Sequence, residues 1–331
     1  LTALNKIINY EYTKIPLSHI ERSDDECRIS HKCAYPELEK SIGANGIINP
    51  VIVYPAGGKY KIISGFKRAD IAAAASFDNG AAAIGCLVAG DISSAERLLI
   101  NICENASIRE LNPAEICEAL KKLSAFYDKT AVIENYLPMM NIQKSEYIFN
   151  KYLGLGRLSG GLKTLLVQGR LPVAAAFIIA GFSGAAQEAF LSVIKESRMG
   201  ANLIVETARL LFETAMQYGK TEEAILSDIN YAAAIENKNL TANQKTETIR
   251  GALSRLKRPM YESCMERFNG LCAPFAAAQI SINPFAYFEK DDITIKFNIN
   301  SAESLEKKIE ALKRLKESKL ISEFLKESRP R

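Results

Sequence analysis

Ile62-Ile63-Ser64-Gly65-Phe66-Lys67-Arg68-Ala69 is the stretch that decides the fold of the N-terminal part of the chain. A β-branched run ends at a glycine, two cations follow, and an Ala-rich segment suited to a helix comes next. A strand that delivers a glycine and two cations to a helix start suits a phosphate. Backbone amides face the anion, the helix dipole favours it, and Lys and Arg neutralise it. Upstream, Asn49-Pro50 forces an extended entry into Val51-Ile52-Val53-Tyr54, and Pro55-Ala56-Gly57-Gly58 reads as a turn, so residues 51–54 and 60–64 form a hairpin. Further extended pieces are expected at 12–17 and 84–88, with a helix at 36–43 and the helix after Arg68 continuing through 71–75. Another helix opens at Ser93-Ser94-Ala95-Glu96 and runs to about Asn105.

From Pro113 onward the pattern becomes helical, with Ile116, Leu120 and Leu123 on one stripe. Helices are expected at 130–137, 143–153, 162–168, 173–180, 185–195 and 203–217. A polar, basic helix over 238–258 has Thr241 as its cap. Strict alternation of Ile293, Ile295, Phe297 and Ile299 predicts a strand, paired as a ribbon with 285–288. A final helix follows Ser301, with Leu305, Ile309, Leu312 and Leu315 on one face. A ribbon and one helix are too small to stand alone, so this end is expected either to homodimerise or to dock on the chain's own helical bundle. The fold class is α+β in three parts: a small mixed α/β domain (1–103), an all-helical domain (104–237), and a connecting helix with a ribbon-helix end (238–331).

A net charge of +4 over 331 residues announces no global basic field, so any nucleic-acid contact must be local. Seven dispersed cysteines, an odd number without a C-x-x-C pair, suit free thiols in a reducing cytoplasm. Cys27, His31 and Cys33 offer three metal ligands but no fourth at matching spacing. No run of about eighteen uncharged apolar residues is present, so no membrane-spanning helix is expected.

Three blocks line up in order: Gly46-Ile47-Ile48-Asn49-Pro50 ahead of Ser64-Gly65-Phe66-Lys67-Arg68; Glu104-Asn105-Ala106-Ser107-Ile108-Arg109; and Tyr147-Ile148-Phe149-Asn150-Lys151-Tyr152-Leu153. Together they resemble the ParB family of chromosome and plasmid partition proteins, over residues 12–180. The resemblance implies a ParB/sulfiredoxin-like domain that binds CTP, or another nucleotide, with magnesium. The family pattern is a G-x-x-x-P loop, then G-E-R-R, then E-N-x-Q-R. Gly46 and Pro50 match the loop. Gly65, Lys67 and Arg68, beside Ser64, match the second motif, with Phe66 in place of its acidic residue. Glu104 and Asn105 match the third and would hold magnesium. The family's Gln and Arg fall on Ser107 and Ile108, unless a one-residue shift lets Arg109 serve. Glu104 is the catalytic candidate, and without the Gln at most weak CTP hydrolysis is implied.

A helix-turn-helix over 130–153 would set Gln143, Lys144, Ser145, Tyr147, Asn150 and Lys151 on double-stranded DNA. Arg250, Arg255, Lys257 and Arg258 form a second basic run, whose simpler reading is a solvated face. The resemblance further implies a nucleotide-driven clamp on DNA, a homodimer, a ParA-like ATPase partner, and a cytoplasmic, nucleoid-associated protein. Two other readings share the scaffold: a transcription or replication regulator, and a nucleotide-dependent kinase or a nuclease. Sulfiredoxin chemistry is not expected, because Phe66 and Lys67 stand where that family needs Cys and His.

Overall fold

β-Branched runs alternate with Ala-rich segments, and the computed structural model turns them into a sheet covered on both faces. It describes residues 8–75, 83–276, 279–284 and 293–317. The first elements are β1 (Tyr10–Pro16), β2 (Ile20–Glu21), α1 (Pro36–Asn45), β3 (Val51–Ala56), β4 (Lys59–Ser64), α2 (Phe66–Ala75), β5 (Ala83–Ala89) and α3 (Ser94–Ile108). The strand order is β1-β5-β3-β4-β2. β3 and β4 form the expected antiparallel hairpin, β3 runs parallel to β5, and β1 closes the far edge antiparallel to β5. The turn is tighter than the sequence suggests. Pro55 and Ala56 stay in β3, and only Gly57 (φ +58°) and Gly58 (φ +78°) reverse the chain.

Side chains alternate across the sheet. Val51, Val53, Ile62, Ile84 and Cys86 pack under Phe66, Ala69 and Ala72 of α2. Ile52, Ile63 and Ala89 face the other way, onto Ile92 and Ile100 of the α3 side. The other buried apolar residues of α3, Leu98, Leu99 and Ile102, enter a second core with Leu111, Ile116, Leu120 and Leu123. One unbroken helix therefore crosses residue 103, where a domain boundary is expected. A full capping box fixes its start, with Ser93 and Glu96 exchanging side-chain bonds with each other's backbone N–H.

The helical half continues through α4 (Pro113–Leu123), α5 (Lys129–Ala131), α6 (Glu146–Gly154), α7 (Gly160–Val167), α8 (Val173–Ile179), α9 (Gly184–Ser197) and α10 (Ala201–Tyr218). α11 (Glu222–Asp228), α12 (Tyr231–Glu236), α13 (Ala242–Lys257) and α14 (Pro259–Ala276) complete it. Thr241 caps α13 as expected; α11, α12 and α14 are not foreseen from the sequence. β6 (Ser281–Pro284) and β7 (Ile293–Lys296) pair antiparallel, and α15 (Ala302–Glu317) follows. The expected partner strand at 285–288 lies outside the described residues; the strand that pairs with β7 is β6. Phe275 and Leu315 form a small cluster with Ile282, Ile295 and Leu312, so part of α15's apolar face docks on its own chain. Among the described residues no helix is long and apolar enough to cross a membrane.

Candidate functional site

Gly65 joins β4 to α2 at φ +99°, a conformation open to glycine at little cost. That turn sends Phe66 inward, where it is buried beneath the Arg28 guanidinium at 4.5 Å. Lys67 and Arg68 then point along the cleft between α2 and α3. Asn101, buried in α3, donates from Nδ2 to the Ile63 carbonyl at 2.6 Å and pins α3 to the end of β4. One turn later Glu104 and Asn105 reach the same cleft. The two segments singled out in the sequence, about forty residues apart, line one cavity of ≈ 250 Å³. Gly65, Lys67, Arg68, Glu104, Asn105, Arg109 and Glu115 supply its polar wall, and Ile29, Leu38 and Ile108 its apolar one.

Both cations are engaged by carboxylates. Arg68 donates from Nη2 to Glu104 at 3.1 Å and from Nη1 to the carbonyls of Asn49 (2.8 Å) and Pro50 (3.1 Å). Ser64, fully buried, donates its hydroxyl to the other Glu104 oxygen at 2.6 Å. Lys67 reaches Glu115 at 3.0 Å, with its ammonium 4.2 Å above the Tyr35 ring. Arg109 grips Glu115 with both terminal guanidinium nitrogens, at 2.7 and 2.9 Å, and donates to Asn105 Oδ1 at 3.0 Å. Arg109 therefore joins the site, while Ser107 turns back to the Glu104 carbonyl.

Gly46 and Pro50 play indirect parts. Gly46 (φ +70°) ends α1, and Pro50 offers only its carbonyl to Arg68. Glu115, which the sequence pattern does not single out, is fully buried at the third position of α4. Burial alone would raise its carboxyl, but the Arg109 hydrogen bonds and the Lys67 charge hold it below the usual range. Its signal was present: Asn112-Pro113-Ala114-Glu115 is a capping box, and Glu115 accepts from the Asn112 N–H at 3.1 Å. Asn101 carries no such local signal.

The helix-turn-helix segment differs from expectation at its second helix. Asp128 caps α5, which continues as a π-helical turn over Val132–Tyr136. Asn141 takes a left-handed conformation, and α6 begins only at Glu146, with Ser145 as its cap. Gln143 and Lys144 thus precede the helix, and Ser145 spends its hydroxyl on the Ile148 N–H at 3.4 Å. Lys144 pairs with Glu134 at 2.9 Å and Lys129 with Glu146 at 2.5 Å, so one ion pair holds the loop before α6 and the other the first turn of α6 to the preceding helical segment. Tyr147, Asn150 and Lys151 share the outer face, with the Lys151 ammonium 4.4 Å above the Tyr147 ring. The second basic run is mostly engaged within the bundle: Arg250 pairs with Glu206 at 3.0 Å and Lys257 with Glu213 at 3.6 Å, bracing α13 on α10.

Residues 3–106 match the ParB N-terminal domain. The probable chromosome-partitioning protein ParB of Coxiella burnetii is 29% identical over 183 residues, covering 55% of this chain and 57% of that protein. Its counterpart from Helicobacter pylori is 25% identical over 173 residues, with 52% and 57% covered. The chromosome-partitioning protein ParB of Myxococcus xanthus is 30% identical over 111 residues, 33% of this chain and 36% of that protein. The chain thus spans little more than half the length of the first relatives it matches. A C-terminally truncated chromosome-partitioning protein ParB from Caulobacter crescentus, complexed to the centromeric parS site, matches with 21% identity and a TM-score of 0.34. That match covers 60% of this chain and 98% of the other.

Proposed function

Since the chain carries a ParB N-terminal domain and so belongs to the ParB family, we propose that it is a DNA-binding partition protein switched by a nucleoside triphosphate in the α2–α3 cleft. The supporting observation is the convergence of Lys67, Arg68 and Arg109 with Glu104 and Asn105 on one cavity. Lys67 and Arg68 would take phosphate oxygens at the start of α2. Glu104 and Asn105 would offer hard oxygen ligands to magnesium, which would neutralise the phosphates. The apolar wall of Ile29, Leu38 and Ile108 suits a base or sugar.

DNA would be met by the outer face of α6. Tyr147 and Asn150 can reach base edges, Lys151 can reach phosphate, and Gln143 flanks them on the preceding loop. Nucleotide and DNA would favour different arrangements of the two halves, as a clamp requires. A homodimer, a ParA-like ATPase partner and a place on the nucleoid in the cytoplasm belong to the same proposal. CTP, or another nucleotide, is the ligand expected from the family pattern.

Calorimetric titration with CTP, ATP, GTP and UTP, each with magnesium, tests the cleft. One of them should bind, and Arg68→Ala should weaken it at least tenfold. Equal, weak heats for all four in both proteins would refute the assignment.

A further inference from the structure

Glu115 lies on α4, in the helical half, yet its carboxylate is held by a cation of the nucleotide-binding half. Lys67 stands 3.0 Å from Oε1, and Arg109 closes on both oxygens. The group is entirely buried and makes charge-assisted bonds of the kind a phosphate would make with the same cations. Glu104 does likewise with Arg68. Three cations and two carboxylates therefore line the cavity and leave it nearly neutral. A free triphosphate entering such a cavity meets two fixed like charges, and its magnesium complex carries much less charge to be repelled.

We infer that Glu115 is an internal anion that competes with ligand phosphate for Lys67 and Arg109, and through which occupation of the cleft is passed to the first turn of α4. The inference rests on the reading of the cleft as a phosphate site. Glu104 cannot fill this part, because it is bonded to the buried Ser64 hydroxyl and sits on α3, not on the first turn of α4. Glu115 can. Its Oε2 also accepts the Asn112 N–H at 3.1 Å, so a carboxylate drawn away from Lys67 changes the cap that starts α4. α4 in turn packs Ile116, Leu120 and Leu123 into the core that also holds Phe149 of α6. A route from phosphate to the DNA-facing helix is thus made of one ion pair, one helix cap and one packed core.

Glu115→Gln keeps the size of the side chain and an oxygen for the Asn112 N–H but removes the charge. Its affinity for inorganic tripolyphosphate without magnesium, and for the magnesium–nucleotide complex, should be compared with wild type by calorimetry. The variant should bind magnesium-free tripolyphosphate about tenfold tighter, with a smaller gain for the magnesium complex, as expected for loss of one like charge near the site. A gain in affinity is not what simple loss of structure produces. In parallel, hydrogen exchange at residues 112–117 of the wild type should change on saturation with ligand, and this readout needs no variant. Tight wild-type binding that Arg68→Ala weakens, with Glu115→Gln no tighter and exchange at 112–117 unmoved, overturns this inference and leaves the phosphate site standing. No binding by wild type or Glu115→Gln overturns both. If Glu115→Gln does not fold, the wild-type exchange experiment decides: unmoved amides sink the inference.

Discussion

Replacing Gly65 by alanine puts a number on the turn that builds the cleft. Gly65 sits at φ +99°, where an L-residue pays ~1–2 kcal/mol in backbone energy. A Cβ added there would stand 3.1 Å from Arg68 Nε and Nη2 and 3.2 Å from Cζ, tighter than ordinary van der Waals contact. The guanidinium cannot drift away without cost. It is held by the Asn49 and Pro50 carbonyls and by Glu104, and its side chain is only 16% exposed. Stretching those bonds by a few tenths of an ångström costs ~1 kcal/mol, a fraction of the worth of hydrogen bonds to charged groups. The unfolded chain loses freedom on Gly→Ala, which returns ~0.4–1 kcal/mol. Gly65→Ala should therefore lower stability by ~1–3 kcal/mol and weaken nucleotide binding as Arg68 shifts. Gly43→Ala is the control: it lies within α1 with nothing within 4 Å of the added methyl and should gain ~0.5–1 kcal/mol. Urea unfolding gives both values, and calorimetry gives the affinities. A Gly65→Ala protein as stable as wild type with unchanged ligand affinity would refute the account of Arg68 as a side chain fixed by the turn.

Two further outcomes follow from the described geometry. Because Glu115 is held below the usual carboxyl range in the folded protein, its contribution is fully present above its unfolded pKa, about 4.3, and is lost as pH falls through the folded value. The stability gap between wild type and Glu115→Gln, read from urea midpoints, should therefore narrow from pH 7 toward pH 3; a gap constant with pH would mean that folding does not lower the Glu115 pKa. On α6, Lys151→Ala should weaken DNA binding evenly across sequences and reduce the salt slope of log K by about 1. An unchanged slope in fluorescence titrations would mean that this face does not meet the phosphate backbone.

Local signals carried most of the N-terminal half. The run into Gly65, the Asn49-Pro50 entry and the Ser93/Glu96 box each act within a few residues, and each stands in the fold as read. α6 starts three residues later than the expected 143 because Ser145 takes the cap: its hydroxyl accepts from the N–H three residues on, whereas the segment before it follows the left-handed Asn141. α14 escaped because its apolar residues follow no clean period, with Gly270 and polar residues between them. What no local pattern could give is the pairing of the cleft cations. Lys67 meets a carboxylate 48 residues on and Arg68 one 36 residues on, so their engagement depends on how α3 and α4 pack. Glu115 was within reach through its capping box; that it faces Lys67 was not.

α3 belongs to two interiors at once. Ile100 lies against the sheet while Leu98, Leu99 and Ile102 anchor the helical half, all within two turns of Glu104. A rod seated in both halves has no slack between them: a small axial turn at its carboxylate end must either be refused or be felt by both. Inserting a single residue after Ile102 would rotate Glu104 and Asn105 by about 100° relative to the packed face. The chain would keep its hydrophobic seams and lose its cleft, a way to separate architecture from ligand recognition with one codon.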